Sequence, residues 1–165
     1  MFPGRPRRLA SVSYVGPARY SLTFCTFDRV PLFTSAALVD AISAQILSAA
    51  AASGFDVTAY CFMPDHTHLL IEGTAPSAGS LPAFVKNAKQ RSGFYGRRLC
   101  GVPVWQPGYF ERVLRDSETT QELIAYIIAN PVRAHLVQHP SEYPFIGSSR
   151  YTLEQLMEFV QMHPT

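Results

Sequence analysis

The chain has 165 residues, 47% of them hydrophobic and 16% charged, a balance that fits one globular domain with a real core and excludes a disordered polymer. A formal net charge of +2 does not by itself point to nucleic acid. Cys25, Cys61 and Cys100 are odd in number and form no C-x-x-C, which excludes a disulfide framework and suits a reducing compartment; no run is apolar and long enough for a signal core or a membrane span, so a cytoplasmic protein is expected.

In chain order, residues 1–18 are rich in Arg, Pro and Gly and read as a loose basic arm carrying Arg5, Arg7 and Arg8. Residues 20–27 are dense in aromatic and β-favouring side chains and predict a strand. Asp28 to Pro31 turns the chain. From Ser35 the apolar residues Leu38, Ile42, Ile46 and Leu47 recur at helical steps until Gly54, a natural stop. Residues 55–62 and 66–72 predict two strands joined across Pro64-Asp65, close enough in sequence to form a hairpin. After a loop with Pro76, Ser77 and Gly79, residues 81–99 predict a second helix, interrupted near Gly93 and Gly96. A fourth strand is expected over 109–114. A third helix then starts with Asp116 or Ser117 as N-cap, with Leu123, Ile124, Ile127 and Ile128 on its core side and Pro131 at its end. A short amphipathic helix over 153–160 closes the chain. The order β-α-β-β-α-β-α predicts an α+β protein of the ferredoxin-like, split-βαβ class, an antiparallel sheet with helices packed mainly on one face. The expected organisation is an arm over 1–18, a single domain over 19–151 and a short C-terminal helix over 152–165.

Three groups of residues bear chemistry. His66 and His68 are two apart on a predicted strand, so both side chains leave the same face. Two imidazoles placed so can chelate one cation; a hydrogen-bonded surface pair fits the spacing equally. Tyr126 and Asn130 are four apart on a predicted helix and share its margin, as a reactive pair or as packing at a helix end. Lys86, Lys89, Arg91, Arg97 and Arg98 crowd into one helix. They form a phosphate-binding face or a solvated one, with Arg112, Arg115 and Arg133 as weaker contacts. Tyr95 and Tyr109 are alternative tyrosines near basic residues, but Leu99 stands where Tyr95 would need an amide four residues on. A zinc site of Cys61, His66 and His68 would be an unusual donor set.

The segment 63–70, Met-Pro-Asp-His-Thr-His-Leu-Leu, resembles the histidine–hydrophobic–histidine segment of single-tyrosine HUH transposases. Residues 126–134, Tyr-Ile-Ile-Ala-Asn-Pro-Val-Arg-Ala, resemble their catalytic helix, most closely in the branch of REP-associated tyrosine transposases. The segments at Pro31-Leu32-Phe33, 84–89, 105–110 and Glu142-Tyr143-Pro144 agree in the same order, and the likeness spans nearly all of 19–151. Thr67 stands where the family name implies a hydrophobic residue, but it points to the other sheet face. The resemblance implies a metal site of His66, His68 and Asn130, with Tyr126 as nucleophile. It implies a mixed N/O donor set suited to Mg²⁺ or Mn²⁺, and cleavage and transfer of single-stranded DNA through a covalent 5′-phosphotyrosine. Hairpin or palindromic DNA is the implied partner, bound by a monomer or a homodimer. A non-catalytic DNA-binding protein on the same fold, such as a domesticated regulator, is the alternative.

Overall fold

A computed structural model describes residues 18–75, 78–115 and 117–164. The arm expected over 1–18 falls almost wholly outside the described residues, as do Pro76, Ser77 and Asp116. The elements run β1 (Arg19–Cys25), α1 (Ala36–Ala52), β2 (Phe55–Met63), β3 (His66–Gly73), α2 (Leu81–Cys100), β4 (Phe110–Val113), α3 (Thr120–Ile128), α4 (Asn130–Arg133), β5 (Ile146–Gly147) and α5 (Leu153–Met162). The five strands form one antiparallel sheet in the order β4-β1-β3-β2-β5. β1 and β2 flank β3, and β3 and β1 lie side by side, so each β-α-β unit is split by a strand of the other. That is the expected class, extended by the short strand β5.

The strands alternate as a two-sided sheet demands. Tyr20, Leu22 and Phe24 of β1 and Leu69 and Ile71 of β3 face α1 and α2 in one core. Leu70 of β3 faces the other way, into a second core with Ile124, Ile127 and Ile128 of α3 and Leu156 of α5. The helices therefore cover both faces, α1 and α2 on one and α3 and α5 on the other, a wider distribution than the single main face expected. An irregularity in β2 makes this possible. Its register with β3 shifts between Val57 and Ala59. Val57 faces the first core, whereas Ala59, Cys61 and Met63 face the second. Thr58, the extra residue, is buried, and its hydroxyl donates to the Leu70 carbonyl at 3.1 Å. The bulge thus supplies an apolar strip that needs a second cover.

Two other expectations are corrected. α2 is continuous through Gly93 and Gly96. A Cβ on Gly96 would stand 2.7 Å from Val104 Cγ2 and 3.0 Å from Ile42 Cδ1, so this glycine permits close approach instead of breaking the helix. α3 starts later than expected: Thr119 is the N-cap, in a capping box with Glu122. Pro131 sits in the first turn of α4, where its missing N–H costs nothing. α5, expected as a short amphipathic C-terminal helix, buries Leu156 completely in the second core. Among the described residues no helix is long and apolar enough to cross a membrane.

Candidate functional site

The β2–β3 hairpin turns through Pro64-Asp65 and pairs Met63 with His66 and Cys61 with His68. On its other side β3 pairs His66 with Cys25 and His68 with Thr23 of β1. Both histidines thus stand on a central strand, held from either side, on the face roofed by α3. Their Nε2 atoms converge to 3.1 Å. The outer nitrogens are engaged elsewhere. His66 Nδ1 meets Asp65 Oδ1 at 2.7 Å, and His68 Nδ1 meets Thr23 Oγ1 at 3.2 Å. Asp65 Oδ2 accepts from Arg29 Nε at 2.8 Å, and Arg29 Nη1 reaches Cys25 Sγ at 3.0 Å. Asp28 and Arg29 hold positive φ of 52° and 57°, a region that disfavours such side chains. The bonds of Arg29 offset that strain.

The electrostatics match. His68 is held down to about 4, by burial first and then by His66 and Arg133, so it is neutral near pH 7. Burial opposes ionisation of Asp65, but the hydrogen bonds from His66 and Arg29 outweigh it and keep the carboxylate below its usual range. A carboxylate on Nδ1 of His66 holds the proton there and frees Nε2 as a lone-pair donor. Donation from His68 Nδ1 to Thr23 would do the same for its Nε2. Two lone pairs would then face each other at 3.1 Å, an arrangement that a cation between them relieves. The donor chemistry of the pair therefore fits a divalent metal. Cys61 does not join it: burial pushes its thiol up to about 12, and its Sγ turns to Met63 Sδ at 3.8 Å. Among the described residues no group of three or more His, Cys, Asp or Glu side chains could hold a metal.

α3 crosses β2 and β3 on the histidine face, and α4 touches β2. This brings Tyr126 and Asn130 to the histidine side of the sheet. No hydrogen bond joins either of them to the histidines among the described residues. Tyr126 is 54% exposed and lines a cleft of about 540 Å³ with Arg112, Glu118, Leu123 and Met162. Asn130 is half-buried; its Nδ2 donates to the Ile127 carbonyl at 3.0 Å, and its Oδ1 accepts from Arg133 Nη2 at 2.8 Å.

The basic residues divide. Arg112 is exposed on the histidine face of β4, where it pairs with Glu118 at 2.6 Å. The α2 cations lie on the opposite side of the sheet, with the first core between. Lys86, Arg97 and Arg98 are exposed there. Lys89 is structural: its ammonium donates to the carbonyls of Gln106 (2.7 Å) and Gly108 and lies 5.5 Å from the Phe24 ring centroid. Arg91 is tied to Gln45 at 3.2 Å. Tyr95 sits on this far face, and Tyr109 packs edge-on against Phe24 at 6.2 Å, so neither alternative tyrosine is near the pair. Sequence reasoning passed over Asp65, Thr23 and Arg29. Asp65 adjoins His66 and could have been suspected; Thr23 and Arg29 become visible only through strand register and the turn after β1.

Residues 15–130 match the family of IS200-like transposases. The chain belongs to that family. It is 31% identical to the ISDra2 transposase TnpA of Deinococcus radiodurans over 119 residues, covering 67% of this chain and 81% of that one. It is 26% identical to the REP-associated tyrosine transposase of Escherichia coli K12 over 93 residues, 55% of this chain and about half, 53%, of that relative's length. Among solved structures, a REP-associated tyrosine transposase bound to a REP hairpin superposes with a TM-score of 0.68 at 20% identity, covering 85% of this chain and 82% of that one. At that identity the likeness shows the fold. It agrees with the five-stranded antiparallel sheet and its helices.

Proposed function

We propose that the chain cleaves and rejoins single-stranded DNA beside a hairpin, with His66, His68 and Asn130 holding Mg²⁺ or Mn²⁺ and Tyr126 as nucleophile. The observation that carries this reading is the convergence of two imidazole Nε2 atoms whose Nδ1 atoms are each engaged by another side chain. The metal would supply Lewis-acid stabilisation of charge on the phosphate oxygens. Thr23 and Asp65 fix the two rings. Tyr126 Oη forms a bond to phosphorus while the bond from phosphorus to the 3′-oxygen breaks. The phenol proton leaves to solvent, and the 3′-oxygen takes one up. The phosphodiester energy stays in the Tyr126–phosphate bond, so another strand's 3′-hydroxyl reverses the step without ATP. The structural neighbour, a REP-associated tyrosine transposase bound to a REP hairpin, supports hairpin DNA as the substrate class. On this reading a strand reaching the histidine face passes Arg112, while Lys86, Arg97 and Arg98 on α2 contact backbone beyond the sheet.

The test incubates the full chain with hairpin DNA carrying single-stranded flanks and Mn²⁺, then looks for a covalent adduct. The adduct is expected to vanish with EDTA and in Tyr126→Phe. An adduct that survives in Tyr126→Phe moves the nucleophile elsewhere. No adduct on a broad set of palindromes leaves the non-catalytic DNA-binding reading.

A further inference from the structure

We propose that Arg133 is the guanidinium that receives the scissile phosphate and that it simultaneously sets the ring of Tyr126. The proposal rests on the reading of Tyr126 as nucleophile. Arg133 closes α4, seven residues beyond Tyr126. In an unbroken helix that separation is about 10 Å along the axis. Here the helix breaks after Ile128 and restarts at Asn130, and Arg133 folds back. Its Nη2 donates to the Tyr126 carbonyl at 2.9 Å and to Asn130 Oδ1 at 2.8 Å. Its guanidinium carbon lies 3.8 Å from the centre of the Tyr126 ring, a stacked cation–π contact.

One side chain therefore touches the proposed nucleophile and the proposed third metal ligand. Its contacts consume only the two Nη2 hydrogens. Among the described residues Nε and Nη1 make no hydrogen bond to the protein, so three N–H groups remain on an exposed, planar cation. A phosphodiester presents two oxygens to such an edge, the bidentate match that lysine lacks. A capping role alone, closing the orphan carbonyls at the end of α3, would account for the bond to Tyr126 but not for the free edge or the stacked ring.

The experiment compares wild type, Arg133→Gln and Arg133→Lys in single-turnover adduct formation with Mn²⁺. Two hairpin substrates are used: one native, and one with a neutral methylphosphonate at the linkage that wild type cleaves. With native DNA at saturation, Arg133→Gln is expected to be slower by about 100-fold, and Arg133→Lys to recover no more than a tenth of that loss. With the methylphosphonate, wild type and Arg133→Gln should agree within about three-fold, because the charge that the guanidinium meets is gone. Carbon-13 tyrosine NMR of the DNA-free protein, with the signal assigned by its loss in Tyr126→Phe, should show the Tyr126 ring resonance displaced in both variants. Native-DNA rates within three-fold of wild type, or an equal loss on both substrates, would overturn the phosphate contact. An unmoved ring resonance would overturn the positioning role. A wild type that forms no adduct overturns the underlying reading and this proposal with it, whereas a wild-type adduct unaffected in Arg133→Gln overturns the proposal alone.

Discussion

Removing the Asp65 carboxylate tests whether the histidine pair is a prepared metal site. Asp65 Oδ1 lies 2.7 Å from His66 Nδ1, and its other oxygen is held by Arg29 at 2.8 Å. In Asp65→Ala the ring loses the partner that fixes both its orientation and its proton. A charge-assisted hydrogen bond of this kind contributes about 1.5–3 kcal/mol. Loss of an outer carboxylate partner typically costs about 10–100-fold in metal affinity, roughly 1.4–2.7 kcal/mol, the same range reached from the other side. Asp65→Asn keeps an acceptor at the same place and should lose about a third to a half of that free energy. Mn²⁺ binding, followed by electron paramagnetic resonance of the free ion, reads this without DNA. Arg29→Met should fall between Asp65→Asn and wild type, because it loosens the carboxylate without removing it. If Asp65→Ala bound Mn²⁺ as tightly as wild type, the Nδ1 contact would be incidental and the pair would not be a prepared site.

Further outcomes follow from other contacts. Gly96→Ala should destabilise the fold by about 1–2 kcal/mol in urea, since overpacking at 2.7 Å from Val104 exceeds the gain of roughly 1 kcal/mol in helix propensity; an equally stable variant would refute the close-packing account. In metal-free protein, His68 takes its proton near 4 when folded but near its ordinary 6.5 when unfolded. The unfolded chain therefore binds more protons between those values, and this contribution to stability, of the order of 3 kcal/mol, is present above 6.5 and is lost as pH falls to 4. Urea titrations in which His68→Gln shows the same pH slope as wild type would contradict it. Replacing both Lys86 and Arg97 by Ala should flatten the log-log dependence of DNA affinity on salt by roughly 1.5, measured by fluorescence anisotropy. An unchanged slope would remove α2 from the DNA path.

The hairpin and α1 were legible because periodicity is written locally: alternation in 66–72, helical steps in 38–47. The bulge at Thr58 was not, since a strand of β-favouring residues looks the same with or without one unpaired position. Without it, no second apolar strip is foreseen, and the helices seem to need only one face. Gly93 and Gly96 misled for a related reason: a glycine's cost in a helix is local, while its gain at Ile42, Val104 and Trp105 is tertiary. In the site, the spacing of His66 and His68 was enough to place both on one face, whereas Tyr126 and Asn130, expected four apart on one helix, stand on α3 and α4 on either side of a break at Ala129. The partners that orient them are absent from any short pattern. Thr23 meets His68 across strands, and Arg133 meets Tyr126 across the break after Ile128. Lys89 carries the opposite lesson, a lysine in a basic run whose charge is spent on two carbonyls of a neighbouring loop.

The two-sided core also orders events during synthesis. All fully buried members of the α1–α2 core lie at or before Val104. The opposite core needs Leu114, the isoleucines of α3, Tyr143 and Leu156. A chain emerging from the ribosome can thus assemble most of one side of the sheet, short of Tyr109, Val113 and Phe145 at its margin, while Ala59, Cys61, Met63 and Leu70 still face solvent on the other. The histidine pair belongs to that later side. Its strand is in place early, but Tyr126 and Asn130 arrive with the roof, so a nascent chain would present imidazoles before it presents Tyr126, the proposed nucleophile.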